Sequence, residues 1–471
     1  MRDIAPYLSG ALAAIASFVA SGLAGFVSLY FLVQILSKDD FGAYSFAANV
    51  MMLTSLLATL GLDRALLLRL APLEASKGML AGRSLFLRTC LIATCVVALL
   101  SIALWFASEH NRSSLHPDLS AWWIKALILS LLPLTLLALC RAWFQANHRV
   151  RDAAVMPGVA DVGRAGMIAL AFAFSLGKGG VAMAFNLSAV LPLVILGLRA
   201  RGRTVAAPAN LPASEISRGL VFSSQRIVDV GLYLLDIIVI GLVATDAVTA
   251  EYAIAARLAA MTDLGRLALL ATFTPRVRMH FHAKNTAALV REYHRARLAS
   301  FGIACLVAIG MVLFGRQLLA VFGDFSDSNG PMLILVSGYI FTAAGGLHAS
   351  YLTMTGEVRL SALIRTIGVV VAVVGLAVLT PGLGALGAAI AITIAMSGIN
   401  VASMLLLWRR TGFRAFGLAP MVVGLCGMVL LWLAAAGLLS PIAASAGLAA
   451  ALGIFTGLEW LRLLPVQPDA G

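Results

Sequence analysis

Charge is what this sequence has least of. Asp, Glu, Lys and Arg make up 12% of its 471 residues, about half the ~25% usual in a soluble domain. With 61% of the chain hydrophobic, too little polar surface remains to cover a water-exposed globule, which excludes a soluble enzyme and a disordered tail. Cysteine is scarce as well. Cys90, Cys95, Cys140, Cys305 and Cys426 lie in or at the edge of apolar runs, without the spacing of a disulfide framework or metal site, and read as small apolar side chains. Polar–apolar alternation is also lacking, and with it a transmembrane barrel, whose strands alternate between lipid and lumen.

What the chain has instead is long apolar runs. About fourteen approach the ~20 residues that cross a bilayer as a helix: 9–36, 41–72, 85–107, 120–147, 153–175, 180–199, 217–244, 250–276, 298–322, 331–356, 360–380, 384–408, 419–438 and 441–459. The first is longer than a signal-peptide apolar region and leads straight into a second span, so it is read as a retained helix. Basic residues gather after even-numbered spans: Arg69, Lys77, Arg83 and Arg88; Arg149 and Arg151; Arg199, Arg201 and Arg203; Arg276, Arg278, Lys284, Arg291, Arg295 and Arg297; Arg359; and Arg409, Arg410 and Arg414. The opposite connections hold only Lys38, Arg112, Lys178 and Arg316. The positive-inside rule therefore places the even loops and both termini in the cytoplasm. The net charge of +13 reflects this topology. Spread over many short loops, it forms no stripe for nucleic acid. Trp105, Trp122 and Trp123 near the outer face and Trp408 near the inner one suit an aromatic belt.

The two halves of the chain match at an offset of about 208 residues. YSFAANV from Tyr44 recurs as YAIAARL from Tyr252, Leu60-Gly61 and Pro72 as Leu264-Gly265 and Pro275, and GKGGVAMA from Gly177 as GALGAAIA from Gly384. Matches that keep order and register over six spans point to a repeat. The expected domains are a six-helix bundle in 1–200, a cytoplasmic linker in 201–216, a second six-helix bundle in 217–410 and two additional helices in 419–460. Six crossings are an even number, so both halves run in the same sense about an axis along the membrane normal, an arrangement of transporters.

Ionisable residues in mid-span are the most informative, since each costs about 2.5–3.5 kcal/mol at a bilayer centre. Asp63 and Arg64 lie in the second span, Asp161 and Arg164 in the fifth, Arg226 and Asp229 in the seventh, and Asp263 and Arg266 in the eighth. Measured from the cytoplasmic ends, the four arginines sit at a common depth of ~12–16 Å. They are expected to ring the inner half of a cavity between the bundles. A guanidinium binds two anionic oxygens at once and keeps its charge, which suits a diphosphate. An Asp three residues from an Arg shares its helix face. It either neutralises the Arg while the site is empty or forms a permanent strut. Asp63, directly adjacent to Arg64, points about 100° away.

Farther out, Asp236 and Arg257 share a depth, and Arg257 is either a fixed partner of Asp236 or a second anionic station. In a regular helix it lies about 180° around from Arg266. His348 in GGLHAS either couples transport to protons or is simply hydrogen-bonded. Pro133 and Pro192 are expected to kink their spans. KNTAALVREYHRAR, 284–297, reads as a short anchoring helix on the inner leaflet. The last two spans either form a groove for a lipid tail or pack outside the core.

The stretch LSKDDFGAYSFAANVMMLTSLLATLGLDRALLLRLAP, 36–72, has a short Asp-Phe-Gly-x-Tyr turn followed by a helix ending in Leu-Gly-Leu and an Arg. With Asp236 in LYLLDIIVIGL, YAIAARL and its downstream Pro275, and the Gly-rich entry to the twelfth span, it resembles the oligosaccharide-lipid (polysaccharide biosynthesis) flippases of the multidrug/oligosaccharidyl-lipid/polysaccharide exporter superfamily. The resemblance covers about residues 5–410, and the two further helices are similar in number to those of fourteen-span lipid II flippases.

It implies an all-α polytopic protein of the bacterial inner (plasma) membrane, with about fourteen spans, two six-helix repeats in a V-shaped arrangement and two C-terminal helices. Its expected function is to move a polyprenyl-diphosphate-linked oligosaccharide, a polysaccharide or O-antigen repeat unit, from inner to outer leaflet by alternating access. No enzymatic step, cofactor or metal is expected; the expected partners are the lipid-linked substrate, membrane lipids and polysaccharide assembly proteins. The expected substrate-binding residues are Arg64, Arg164, Arg226, Arg257 and Arg266, and the ion-pair or coupling residues are Asp63, Asp161, Asp229, Asp236, Asp263 and His348. The alternative, a multidrug exporter of the same superfamily, wants an acidic site for cations, and the first span has no Asp or Glu between residues 9 and 36. A membrane-embedded glycan polymerase or ligase needs a larger outer loop than 108–119, whose Glu109, His110, His116 and Asp118 have little room for a folded site.

Overall fold

Backbone polar groups inside lipid must be satisfied within the chain, which favours helices. Every regular element among the described residues is helical. The computed structural model describes residues 5–64, 66–67, 79–110, 119–147, 149–200, 233–283, 285–348, 351–352, 357–411 and 418–463. The helices are α1 (Ala5–Ile35), α2 (Lys38–Ala58), α3 (Met79–His110), α4 (Leu119–Leu127), α5 (Leu131–Ala146), α6 (Val150–Ala173), α7 (Gly177–Ser188), α8 (Val190–Ala200), α9 (Tyr233–Val243), α10 (Asp246–Ala259), α11 (Leu264–His282), α12 (Thr286–Val321), α13 (Asn329–Gly345), α14 (Val358–Thr411), α15 (Leu418–Ala435) and α16 (Pro441–Leu463). Among the described residues, eight helices are long and apolar enough to cross a membrane, and three shorter apolar ones accompany them. The 54-residue α14 is two helices joined at Gly384, whose φ of 58° reverses the backbone three residues after Pro381.

The chain divides into two units, Met1–Ala250 and Glu251–Gly471. In the first unit the Asp-Phe-Gly-x-Tyr stretch, expected as a turn ahead of a helix, is instead part of the opening turns of α2 and has a packing role. Ser37 caps α2 by accepting the Asp40 N–H at 3.1 Å, and Asp40 accepts from the Trp123 indole at 3.3 Å. Phe41 and Tyr44 are buried, with Tyr44 edge-on to Trp123 and Phe185. Gly42 lies so close to the Asp246 carbonyl that a Cβ would stand 1.9 Å from its oxygen. Helices α1 and α6 approach closely at Gly158, whose N–H donates to Ser17 Oγ at 3.0 Å, the small-residue contact typical of membrane helices.

The second unit is built around α13, buried on all sides from Pro331 to Gly345. Helices α12, α14 and α15 pack on it, and α16 packs on α12 and α15. Thr393 Oγ1 donates to the Ile334 carbonyl at 3.0 Å, Trp432 Nε1 donates to Ser337 Oγ at 2.9 Å, and Phe301 stacks on Phe455 with centroids 4.1 Å apart. The last two helices are thus fastened to this unit by specific contacts.

Several spans are interrupted. Residues Ile128–Ser130 form a 3-10 turn between α4 and α5, just ahead of Pro133, and α7 gives way to α8 at Ala189, three residues before Pro192. Proline removes the bond to the carbonyl four residues back, which places each break one turn upstream of the ring. Of the segment 284–297, expected as a separate surface helix, residues 286–297 are instead the start of the continuous 36-residue α12, capped by Asn285. Its Tyr293, His294 and Arg297 are buried; the basic residues there do not all face the membrane surface, because one flank of the helix packs inside the unit.

Candidate functional site

The two segments that carry Asp63–Arg64 and Asp263–Arg266 are both interrupted just before those residues. Helix α2 ends at Ala58, Leu60 and Gly61 take left-handed φ of 49° and 67°, and helical structure resumes at Leu62. A left-handed Leu costs about 1–2 kcal/mol, so the surrounding packing must hold it. In the second unit α10 ends at Ala259, a 3-10 turn spans Ala260–Asp263, and α11 follows. The 180° separation of Arg257 and Arg266 assumed one regular helix; the 3-10 turn changes the angle per residue and removes that argument.

Asp63 and Arg64 lie in the first turn after the first break, whereas Asp263 closes the 3-10 turn and Arg266 lies in the first turn of α11. Asp263 is buried and grips Arg266 with both oxygens, Oδ1 to Nε and Oδ2 to Nη2, each at 2.6 Å. Arg266 keeps 18% of its side chain exposed. Asp63 is buried. Arg64 is half-buried, and among the described residues its guanidinium has no ion-pair partner. On α6, Arg164 Nη2 donates to Asp161 Oδ1 at 2.8 Å, with side chains 19% and 28% exposed. Its guanidinium lies 6.0 Å from the Phe185 ring. Two of the three i,i+3 pairs expected from spacing are therefore formed. Arg226 and Asp229 lie outside the described residues. Asp236 is buried in α9, where its Oδ1 accepts the Ile237 N–H at 2.7 Å. Arg257 is half-buried in the last turn of α10.

His348 is brought into a polar cluster at a break in its span. Helix α13 ends at Gly345, and Gly346 has φ 87° and ψ −150°. The Gly345 carbonyl accepts from Tyr293 Oη at 2.6 Å, and His348 Nδ1 stands 3.3 Å from the same oxygen. Asn400 Nδ2 donates to Thr342 Oγ1 at 2.7 Å and to the Met396 carbonyl at 3.0 Å.

Sequence reasoning missed a second buried cluster. His294 Nδ1 lies 2.7 Å from Glu459 Oε2, Arg297 Nη2 donates to Glu459 Oε1, and all three side chains are at most 3% exposed. Arg297 had been read as one of many loop cations. The available signal was Glu459, the one acidic residue in the last two spans. Among the described residues no group of three His, Cys, Asp or Glu could hold a metal ion.

Comparison with known proteins places this geometry. The family described as "Polysaccharide biosynthesis protein" matches residues 7–279. No curated protein matches the chain. A lipid II flippase MurJ in an inward closed conformation is similar in structure at TM-score 0.74 and 13% identity, covering 96% of this chain and 100% of its own. An inward-facing multidrug resistance MATE transporter of the MOP superfamily follows at TM-score 0.64 and 15% identity, covering 89% and 98%. A MOP superfamily transporter from Pyrococcus furiosus, described as having a binding pocket of reverse polarity, gives 0.58 and 13%, covering 90% and 96%. At these identities the likeness establishes the fold alone, the multi-helix architecture that these proteins share.

Proposed function

Because this chain belongs to the polysaccharide biosynthesis protein family, we propose that it is a flippase that carries a polyprenyl-diphosphate-linked oligosaccharide from the inner to the outer leaflet of a bacterial plasma membrane by alternating access. Both termini face the cytoplasm in this reading, and Arg64, Arg164, Arg226 and Arg266 form a cationic layer that receives the diphosphate, with Arg257 a further anionic station. The observation that carries it is the pair of interrupted helices, each presenting an arginine in the first turn after the break. After the Leu60–Gly61 break the amino end of the resumed helix adds its positive potential to the Arg64 guanidinium, a combination suited to phosphate oxygens. Arg64 supports the reading most directly, since its guanidinium has no ion-pair partner among the described residues. Arg164 and Arg266 are held by Asp161 and Asp263, and the substrate displaces those carboxylates as it binds. Asp229 and Asp236 serve as counter-charges and His348 as a coupling residue.

The MATE-like fold favours a second reading, a multidrug exporter. Against it stands α1, with no Asp or Glu between residues 9 and 36, and arginines repel cationic drugs.

The test is lipid-linked glycan on the cytoplasmic face of cells lacking the protein, complemented by wild type or by Arg64→Ala at matched expression. Accumulation in the deletion strain, cleared by wild type and not by the folded Arg64 variant, is the expected result. An unchanged glycan distribution in the deletion strain rejects the flippase reading.

A further inference from the structure

The His294–Arg297–Glu459 cluster joins α12 to α16, 162 residues apart for Arg297 and Glu459. A buried ion pair is poor glue: removing two charges from water costs several kcal/mol per ion, and an apolar pair of similar size holds as well or better. Apolar packing is already present beside it, in the Phe301–Phe455 stack. What the carboxylate adds is direction. It fixes the Arg297 guanidinium, which lies 5.5 Å from the Tyr293 ring and 5.9 Å from the Phe455 ring. The arginine's methylenes then run across Gly346: a Cβ there would lie 3.1 Å from Arg297 Cγ and Cδ and 2.8 Å from Tyr293 Oη. Tyr293 in turn donates to the Gly345 carbonyl. Both supports of the broken span therefore come from the same two turns of α12 that Glu459 anchors.

We propose that Glu459 is a positioning residue: through Arg297 and Tyr293 it fixes the break at Gly346 and so holds His348 against the Gly345 carbonyl. The last helix pair thereby shapes the site without touching substrate. The consequence for transport rests on the reading above, in which His348 is a coupling residue.

Glu459→Ala alone strands the Arg297 charge and threatens the fold. The informative variant is the double replacement Arg297→Met/Glu459→Met, which removes both charges and keeps apolar bulk. Two quantities are measured: hydrogen exchange on the purified full chain, and clearance of lipid-linked glycan in complemented cells. We expect amides 345–348 to exchange at least tenfold faster, α15 and α16 to keep wild-type protection, and clearance to fall at least tenfold. Wild-type exchange at 345–348 overturns the proposal, whatever the transport result. Faster exchange with wild-type clearance overturns it too, since the break would then be irrelevant to transport. A double variant that has lost protection throughout α15 and α16 also overturns it, because the cluster would then be a structural latch. If the deletion strain accumulates no lipid-linked glycan, the functional reading has failed separately, and the exchange experiment alone decides whether Glu459 positions the break.

Discussion

Replacing Asp263 by Asn separates a carboxylate that yields to substrate from one that braces the bundle. Two charge-assisted bonds of 2.6 Å join Asp263 to Arg266, and such bonds contribute about 1.5–3 kcal/mol each. Arg266 is 18% exposed, so water screens part of the attraction and the lower end applies, ~3 kcal/mol for both. Asparagine keeps one acceptor oxygen and loses the charge, which leaves a deficit of ~1.5 kcal/mol, half of that sum. If a diphosphate must displace the carboxylate, that deficit no longer opposes binding, and affinity rises by about tenfold. The assay is titration of the purified protein in nanodiscs with a polyprenyl diphosphate carrying no glycan, with thermal midpoint as a control. Tighter binding by Asp263→Asn at a near-native midpoint is the expected outcome, together with slower glycan clearance in cells as release becomes harder. Weaker binding at an unchanged midpoint would refute the reasoning, because the carboxylate would then be ordering Arg266 for the substrate. A midpoint lowered by many degrees with no gain in affinity would make the pair a strut.

Two further substitutions test the packing that supports the site. Gly42→Ala forces a methyl to within 1.9 Å of the Asp246 carbonyl oxygen; since backbone cannot rotate away, a loss of more than about 3 kcal/mol is expected, seen as poor membrane yield and a depressed thermal midpoint. Thr393→Val keeps the side-chain shape and removes the 3.0 Å bond to the Ile334 carbonyl. Interhelical bonds in membranes average ~0.6 kcal/mol, so the midpoint should fall by only a few degrees, with transport retained.

Features that depend on neighbours along one helix were legible in the sequence. Apolar run length sets where a helix can cross lipid, and α1, α3 and α6 lie where runs of the required length were marked. The Asp161–Arg164 and Asp263–Arg266 pairs follow from three-residue spacing alone, because one turn of helix brings those side chains together whatever surrounds them. The Asp-Phe-Gly-x-Tyr stretch was recognisable as a pattern, yet its helical conformation and its reason, a glycine pressed on a carbonyl about two hundred residues away in sequence, were not. The breaks at 60–61, 260–263 and 346 carry no proline and scarcely disturb hydropathy, so periodicity passes over them. Arg297 and Glu459 were hidden for the same kind of reason. In sequence one is a cation among many near a span end and the other a lone acid near the chain terminus. Only the packing of α12 against α16 turns both inward, where neither can remain charged without the other. The sequence by itself determined which segments enter the membrane and which charges they carry; the tertiary structure decided which of those charges meet, because an ion pair between helices depends on the rotation of each helix about its own axis, and side-chain packing sets that rotation.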